Sequence, residues 1–194
     1  MPKEFLTSVY SKAKLLLREP DKFFARERKE RGIDDALKYL AVVALVHVFF
    51  VAIALSAARG FSTFFFTLSL VYALVIVGLL LLALPLQLFA ILLGGKGSYD
   101  ATFRALAYGY TPIALVGWIP IVGVLGRFYG FYLFVKGISI LHKVSMWRAA
   151  AIVFLPALVM FGLMIFMTAL IFATVGPFGF LNNLGELQAT GGLV

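Results

Sequence analysis

The sequence predicts an all-α, polytopic transmembrane helix bundle of about five spans, with an N-terminal amphipathic helix at the membrane interface. Three observations predict it. The chain of 194 residues is 62% hydrophobic and only 13% charged, where a soluble domain keeps about a quarter of its residues charged. Its apolar runs reach the ~20 residues needed to cross a bilayer core. Its Lys and Arg residues gather in alternate connections between those runs.

The first run, 36–58, contains only Lys38 near its start and His47 inside. Asp34 or Asp35 is placed to cap it, and Arg59-Gly60 ends it. The second, 64–93, is longer than the hydrocarbon layer at about 1.5 Å per residue, so tilt, a kink at Pro85 or a protruding end is expected. Gly94 to Ser98 breaks it. A third stretch, 105–124, is punctuated by Gly109, Pro112, Gly117, Pro120 and Gly123, and a fourth, 124–141, carries Arg127 and Lys136. A tight turn at Trp118–Gly126 joins these two. The fifth run, 149–174, is clean, with Pro156 and Gly162 inside. The organisation is thus a basic amphipathic segment over 1–35, a membrane domain over 36–175 and a Gly-rich tail over 176–194, expected to be loosely ordered.

The N-terminal 35 residues hold nine of the 17 basic residues and seven of the nine acids, so the net charge of +8 is spread over this segment and the loops. No soluble basic domain exists to carry a nucleic-acid surface. Cysteine is absent, which removes disulfides and thiolate chemistry. The first apolar run begins too late and continues too far for a cleaved signal peptide. With the five runs above, 15 of the 17 Lys and Arg residues fall on one side, and only Arg59 and Arg127 on the other. That asymmetry predicts a cytoplasmic N-terminus and a C-terminus outside. A re-entrant hairpin at the third and fourth stretches would leave three crossings and the same two ends.

On a helix, Phe5, Leu6, Val9, Tyr10, Ala13, Leu16 and Leu17 fall within an arc of about 140°, with Lys12, Lys14 and Arg18 outside it. This pattern suits a helix in the interface, and equally a helix packed on the cytoplasmic ends of the spans. Pro20 breaks it, and a second short helix follows that Gly32 ends.

Ionisable groups inside a membrane are costly, so each raises a functional question. Asp100 and Arg104, four apart, are expected to form an ion pair, with Tyr108 and Thr111 continuing their stripe. On the fourth stretch Tyr129, Tyr132, Lys136, Ser139 and Lys143 share one face. They line a groove open to lipid or solute, or they are lysines reaching to the interface with tyrosines at headgroup depth. Gly123, Gly126, Gly130 and Gly137 share another face, suited to close helix packing within the chain rather than to a dimer. His47 reads as a satisfied packing residue. Two histidines without cysteine offer no zinc or haem site, so no metal and no cofactor are expected. Gly95-Lys96-Gly97-Ser98 only glances at a phosphate loop, lacking its upstream Gly and the hydroxyl directly after Lys. No hydrolase, metalloprotease or paired-aspartate motif is present, and an enzyme is not expected.

Several motifs then gather in order. Pro20-x-x-Phe23-Phe24, a charged stretch and Asp35-Ala36-Leu37-Lys38-Tyr39 lead into the first run. Phe103-Arg104-Ala105-x-Ala107-Tyr108-x-Tyr110-x-Pro112 follows, then Ile119-Pro120-x-x-Gly123 and Tyr129-x-x-Tyr132. Lys136-Gly137-Ile138-x-x-Leu141-His142-x-x-Ser145-x-x-Arg148-Ala149 completes the set. Over roughly residues 20–170 this resembles prokaryotic members of the Yip family, the Ypt/Rab-interacting proteins, which have five spans. The resemblance implies a membrane domain of that type. Eukaryotic relatives sit in early secretory membranes, bind prenylated small GTPases and help vesicle traffic or membrane shape. Their acidic cytosolic N-terminal region has no match in the shorter, basic segment of this chain, so GTPase binding does not carry over with the membrane domain.

The resulting expectation is a non-enzymatic membrane-organising or adaptor protein. It would engage membrane lipid, a protein partner or a second copy of itself through Arg104, Tyr108, Tyr110, Tyr129, Tyr132, Lys136, Ser139 and Lys143. The alternative is a small oligomeric transporter with Arg104, Tyr108 and Lys136 lining a polar path. No inverted repeat supports that alternative.

Overall fold

The computed structural model describes residues 2–175, with side chains for 4–172, and the Gly-rich tail lies outside the described residues. Every regular element among them is a helix: α1 (Pro2–Arg18), α2 (Pro20–Glu27), α3 (Asp34–Arg59), α4 (Ser62–Leu92), α5 (Tyr99–Gly109), α6 (Thr111–Val116), α7 (Val122–His142) and α8 (Met146–Val175). Four of these, α3, α4, α7 and α8, are long and apolar enough to cross a membrane. α3 and α4 form an antiparallel hairpin, α5 packs on α3, α4 and α7, and α6 packs on α3 and α7. α1 lies on α2, and α2 lies on α7.

Helix ends follow local chemistry. Glu19, with φ −138° and ψ 66°, separates α1 from α2 because Pro20 disfavours helical geometry in the residue before it and then serves as the first residue of α2. α2 ends at Glu27, short of Gly32, because the amides of Lys29 and Glu30 turn back three residues to Arg26 and Glu27. α3 is not capped by an aspartate. Ile33 is its N-cap, and Asp34 and Asp35 lie in the first turn, where their charge complements the helix dipole. α4 continues through Pro85.

The third apolar stretch is not one helix. It starts at Tyr99, earlier than its apolar run, and breaks at Tyr110. Pro112 has no amide to offer the Tyr108 carbonyl, and Thr111 Oγ1 donates to that oxygen instead, at 2.6 Å. Thr111 Oγ1 is also 2.8 Å from the Tyr39 hydroxyl. Its own proton being used, it accepts from Tyr39, which ties the break to α3. Irregular backbone of this kind is tolerated at membrane depth when protein surrounds it. Accordingly every residue from Ala101 to Pro112 is buried.

The helices clasp α5 and α6 and expose their own apolar outer faces. Phe49 on α3, Phe66, Leu74 and Leu88 on α4, and Phe128 on α7 are all exposed. Exposed apolar surface on that scale marks contact with lipid rather than water. From Phe154 onward α8 forms a compact unit of its own, an apolar helix without a charged residue up to Phe172, in which Thr168 bonds back to the Met164 carbonyl at 2.8 Å. Its first turns, through Ala149, Ile152 and Val153, belong to the core of the larger unit.

Candidate functional site

The N-terminal segment is built into one end of the bundle. α2 buries Phe23 and Phe24, and Phe23 meets the Tyr108 ring edge-on with centroids 4.9 Å apart. Phe24 fills the space left by Gly137, where an added Cβ would come within 2.9 Å of the Phe24 ring and of Ala105. Leu16 anchors α1 in the core, with Val9 and Ala13 packed against it. The Tyr129 hydroxyl donates to the Leu17 carbonyl at 3.0 Å, and Lys136 Nζ pairs with Asp21 at 2.8 Å. At the surface of this collar Lys22 bonds to Glu19, and that bond, aided by the carboxylate charge, raises the Lys22 pKa.

Two cavities open at this end. The smaller, about 250 Å³, is lined by Lys12, Arg26, Glu27, Glu30, Arg31 and Asp35, with Tyr108 and Arg104 among its other walls. Its charges alternate: Lys12 Nζ lies 3.8 Å from the buried Glu27 carboxylate and 3.4 Å from the Tyr108 hydroxyl. The larger, about 520 Å³, gathers Arg28, Arg31, Lys96, Arg104 and Lys143 around Gly97, Ser98 and Ala101. Two acids, Glu30 and Asp100, share its wall.

Arg104 lines both cavities and is only 6% exposed, yet its Nε and Nη1 are buried without a hydrogen-bond partner. The expected ion pair with Asp100 is not formed. Asp100 stands in the first turn of α5 and accepts the Gly32 amide at 3.2 Å, fastening the α2–α3 connection instead.

A polar chain that sequence reasoning missed lies beside the larger cavity. Thr102 Oγ1 donates to Gln87 Oε1 at 2.5 Å and is 2.9 Å from His142 Nε2, while Gln87 Nε2 donates to the Gly97 carbonyl at 3.1 Å. With the Thr102 proton committed to Gln87, His142 is the donor through Nε2, and its Nδ1 is left buried without a partner. Gly95 and Gly97 lie so close to that ring that a Cβ on either would come within 2.9 Å of Nδ1. Gln87 is the one amide side chain inside an apolar run, while Thr102 and His142 lie just beyond the ends of two others, so Gln87 was the available signal.

The candidate residues divide among different tasks. Arg104 and Lys143 meet at the larger cavity, and Tyr108 faces the smaller. Tyr110 is apart from both, bonded to His47 on α3, so that His47 is a partnered packing residue. Tyr129 and Lys136 hold the α1–α2 connection, and Tyr132 stacks on Tyr129 with 41% of its surface exposed. Ser139 Oγ donates to the Val144 carbonyl at 2.7 Å and closes the end of α7. Lys136 lines neither of these two cavities. The glycine face of α7 is occupied from within the chain: Gly123 abuts Gly117, Gly126 abuts Pro112 and Val116, Gly130 abuts Ile113, and Gly137 abuts Ala105 and Phe24.

No curated protein and no solved structure matches this chain. The model of one family, described as the Yip1 domain, matches residues 14–169, which takes in the last turn of α1, all of α2 to α7 and most of α8. The multi-pass apolar helices and that match together place this chain in the Yip1 family of membrane proteins.

Proposed function

We propose that this protein is a non-enzymatic membrane organiser or adaptor whose α1–α2 collar lies on the cytoplasmic face and engages lipid headgroups. The observation that carries the reading is the split apolar arc of α1. Val9, Ala13 and Leu16 dock on the bundle, while Phe5, Leu6 and Tyr10 remain exposed, at 40%, 54% and 69%. An apolar edge left open beside exposed Lys14 and Arg18, on a helix held at the basic end of the bundle, suits the acyl–headgroup boundary. The same end carries the basic residues of the α4–α5 and α7–α8 connections, while Arg127 and Trp118 lie at the far turn, where Trp118 stacks on Phe50. That distribution supports an N-terminus inside.

Reconstitution into anionic liposomes tests the reading. The intact protein should change liposome shape or clustering, and replacing Leu6 and Tyr10 together by glutamate should abolish the effect without lowering incorporation. A chain that leaves liposomes unchanged but transports solute across them would overturn it.

A further inference from the structure

We propose that the larger cavity at the collar is a binding site for a phosphate-bearing anion, with Arg104 at its base. The proposal goes beyond the membrane-organising role, since it needs only that the cavity face headgroups or water and not that α1 lies on lipid.

Charge comes first. Arg28, Arg31, Lys96, Arg104 and Lys143 converge on one cavity against only Glu30 and Asp100, and Asp100 already accepts the Gly32 amide. The neighbouring cavity has a smaller surplus, because Glu27, Glu30 and Asp35 stand there against Lys12, Arg26, Arg31 and Arg104. An anion is therefore drawn to the larger one.

Arg104 is the second observation, independent of the surface charge. A guanidinium is always charged, and leaving two of its nitrogens buried without an acceptor is expensive. As a charged donor at the cavity wall it suits a phosphate oxygen. The wall beside it is the start of α5, where Ser98 has extended backbone and no side-chain cap covers the first turn. Uncapped amides and the positive end of the dipole favour an anion at such a place. Gly97 lets this wall approach His142 closely and itself lines the cavity of about 520 Å³. The Gly-Lys-Gly-Ser sequence that fails as a nucleotide loop thus contributes Lys96, Gly97 and Ser98 to a simpler anion site. Lys143 completes it from a left-handed backbone conformation, φ 57°, at the end of α7.

A phosphomonoester group could arrive on a lipid headgroup or on a soluble compound, and the test separates these. The full chain is reconstituted in phosphatidylcholine nanodiscs and titrated with inorganic phosphate by calorimetry. In a second arm the nanodiscs contain phosphatidic acid, and lipid retained by the protein is read by native mass spectrometry. Binding in the first arm identifies a soluble phosphate compound as sufficient, and binding only in the second identifies a headgroup. Either supports the site if Lys96→Ala and Lys143→Gly weaken it several-fold and Arg104→Met weakens it at least about ten-fold. Lys96 and Lys143 are exposed, so these two variants decide the matter even if Arg104→Met does not fold. Wild-type protein that binds neither probe overturns the proposal. So does binding that all three variants keep and that only neutralising Lys14 and Arg18 on α1 removes. Loss of liposome remodelling through Leu6 and Tyr10, with phosphate binding intact, would sink the organiser reading alone.

Discussion

Thr111 donates to the carbonyl of Tyr108 at 2.6 Å, in the place of the amide that Pro112 lacks. One hydroxyl thereby satisfies the broken turn and, by accepting from Tyr39, joins that turn to α3. Thr111→Val keeps the shape but leaves the buried Tyr39 phenol without its acceptor and takes one of the donors from the Tyr108 carbonyl. It should cost about 2 kcal/mol or more. Thr111→Ser should recover most of this loss, read as the thermal transition of the protein in detergent.

Lys143 gives a change of opposite sign. Its left-handed backbone costs a residue with a Cβ about 1 kcal/mol that glycine does not incur. Lys143→Gly should therefore raise stability by about that amount while weakening phosphate binding. A variant that lost both would place the lysine in the fold rather than in the site.

The glycine face of α7 should not tolerate a methyl group. At Gly126 a Cβ would stand 2.9 Å from the Pro112 carbonyl, part of a backbone that cannot swing aside. Gly126→Ala gains about 1 kcal/mol of helix propensity but faces overpacking of about 1–3 kcal/mol. Net destabilisation is expected in a thermal melt. Gly162, with nothing within 4 Å of its Cβ position, is the control and should gain stability on the same substitution.

The Lys136–Asp21 pair is short, but Asp21 is 67% exposed, so the pair should contribute less than about 1 kcal/mol. Lys136→Met should barely move the thermal transition. Its effect should be local, seen as faster amide exchange across Pro20–Glu27 and a matching increase on adding salt to the wild type.

Tyr10 reports where the open edge of α1 lies. A Tyr10→Trp variant in liposomes should emit at shorter wavelength than in detergent-free denaturant and be quenched by lipids brominated near the headgroup. Emission unchanged by brominated lipid would place that edge in water.

The long apolar helices were legible because period and length survive any tertiary arrangement: Asp34–Arg59 and Ser62–Leu92 each lie within a residue or two of their apolar runs. The glycine stripe on α7 was legible too, since four small residues on one face constrain what can sit there. Position within a bundle was not. Asp100 and Arg104 are four apart on one helix, and helical spacing alone makes them a pair. It cannot register that Gly32, 68 residues earlier, offers Asp100 an amide. Likewise Tyr129 and Lys136 share a face as expected, but the face is covered by Leu17 and Asp21 of the collar. His142 stayed hidden because its partner Thr102, and Gln87 bonded beyond it, come from two other helices.

The docking of Phe24 against Gly137 and Ala105 also bears on the order of events at the ribosome. α2 is among the first helices made, yet the surface that receives it belongs to α5 and α7. Tyr129, which fastens Leu17, follows it by 112 residues. Until α5 and α7 are made, then, Phe23 and Phe24 lack the helices that bury them. α2 can therefore reach its final position only once α5 and α7, later in the chain, are in place.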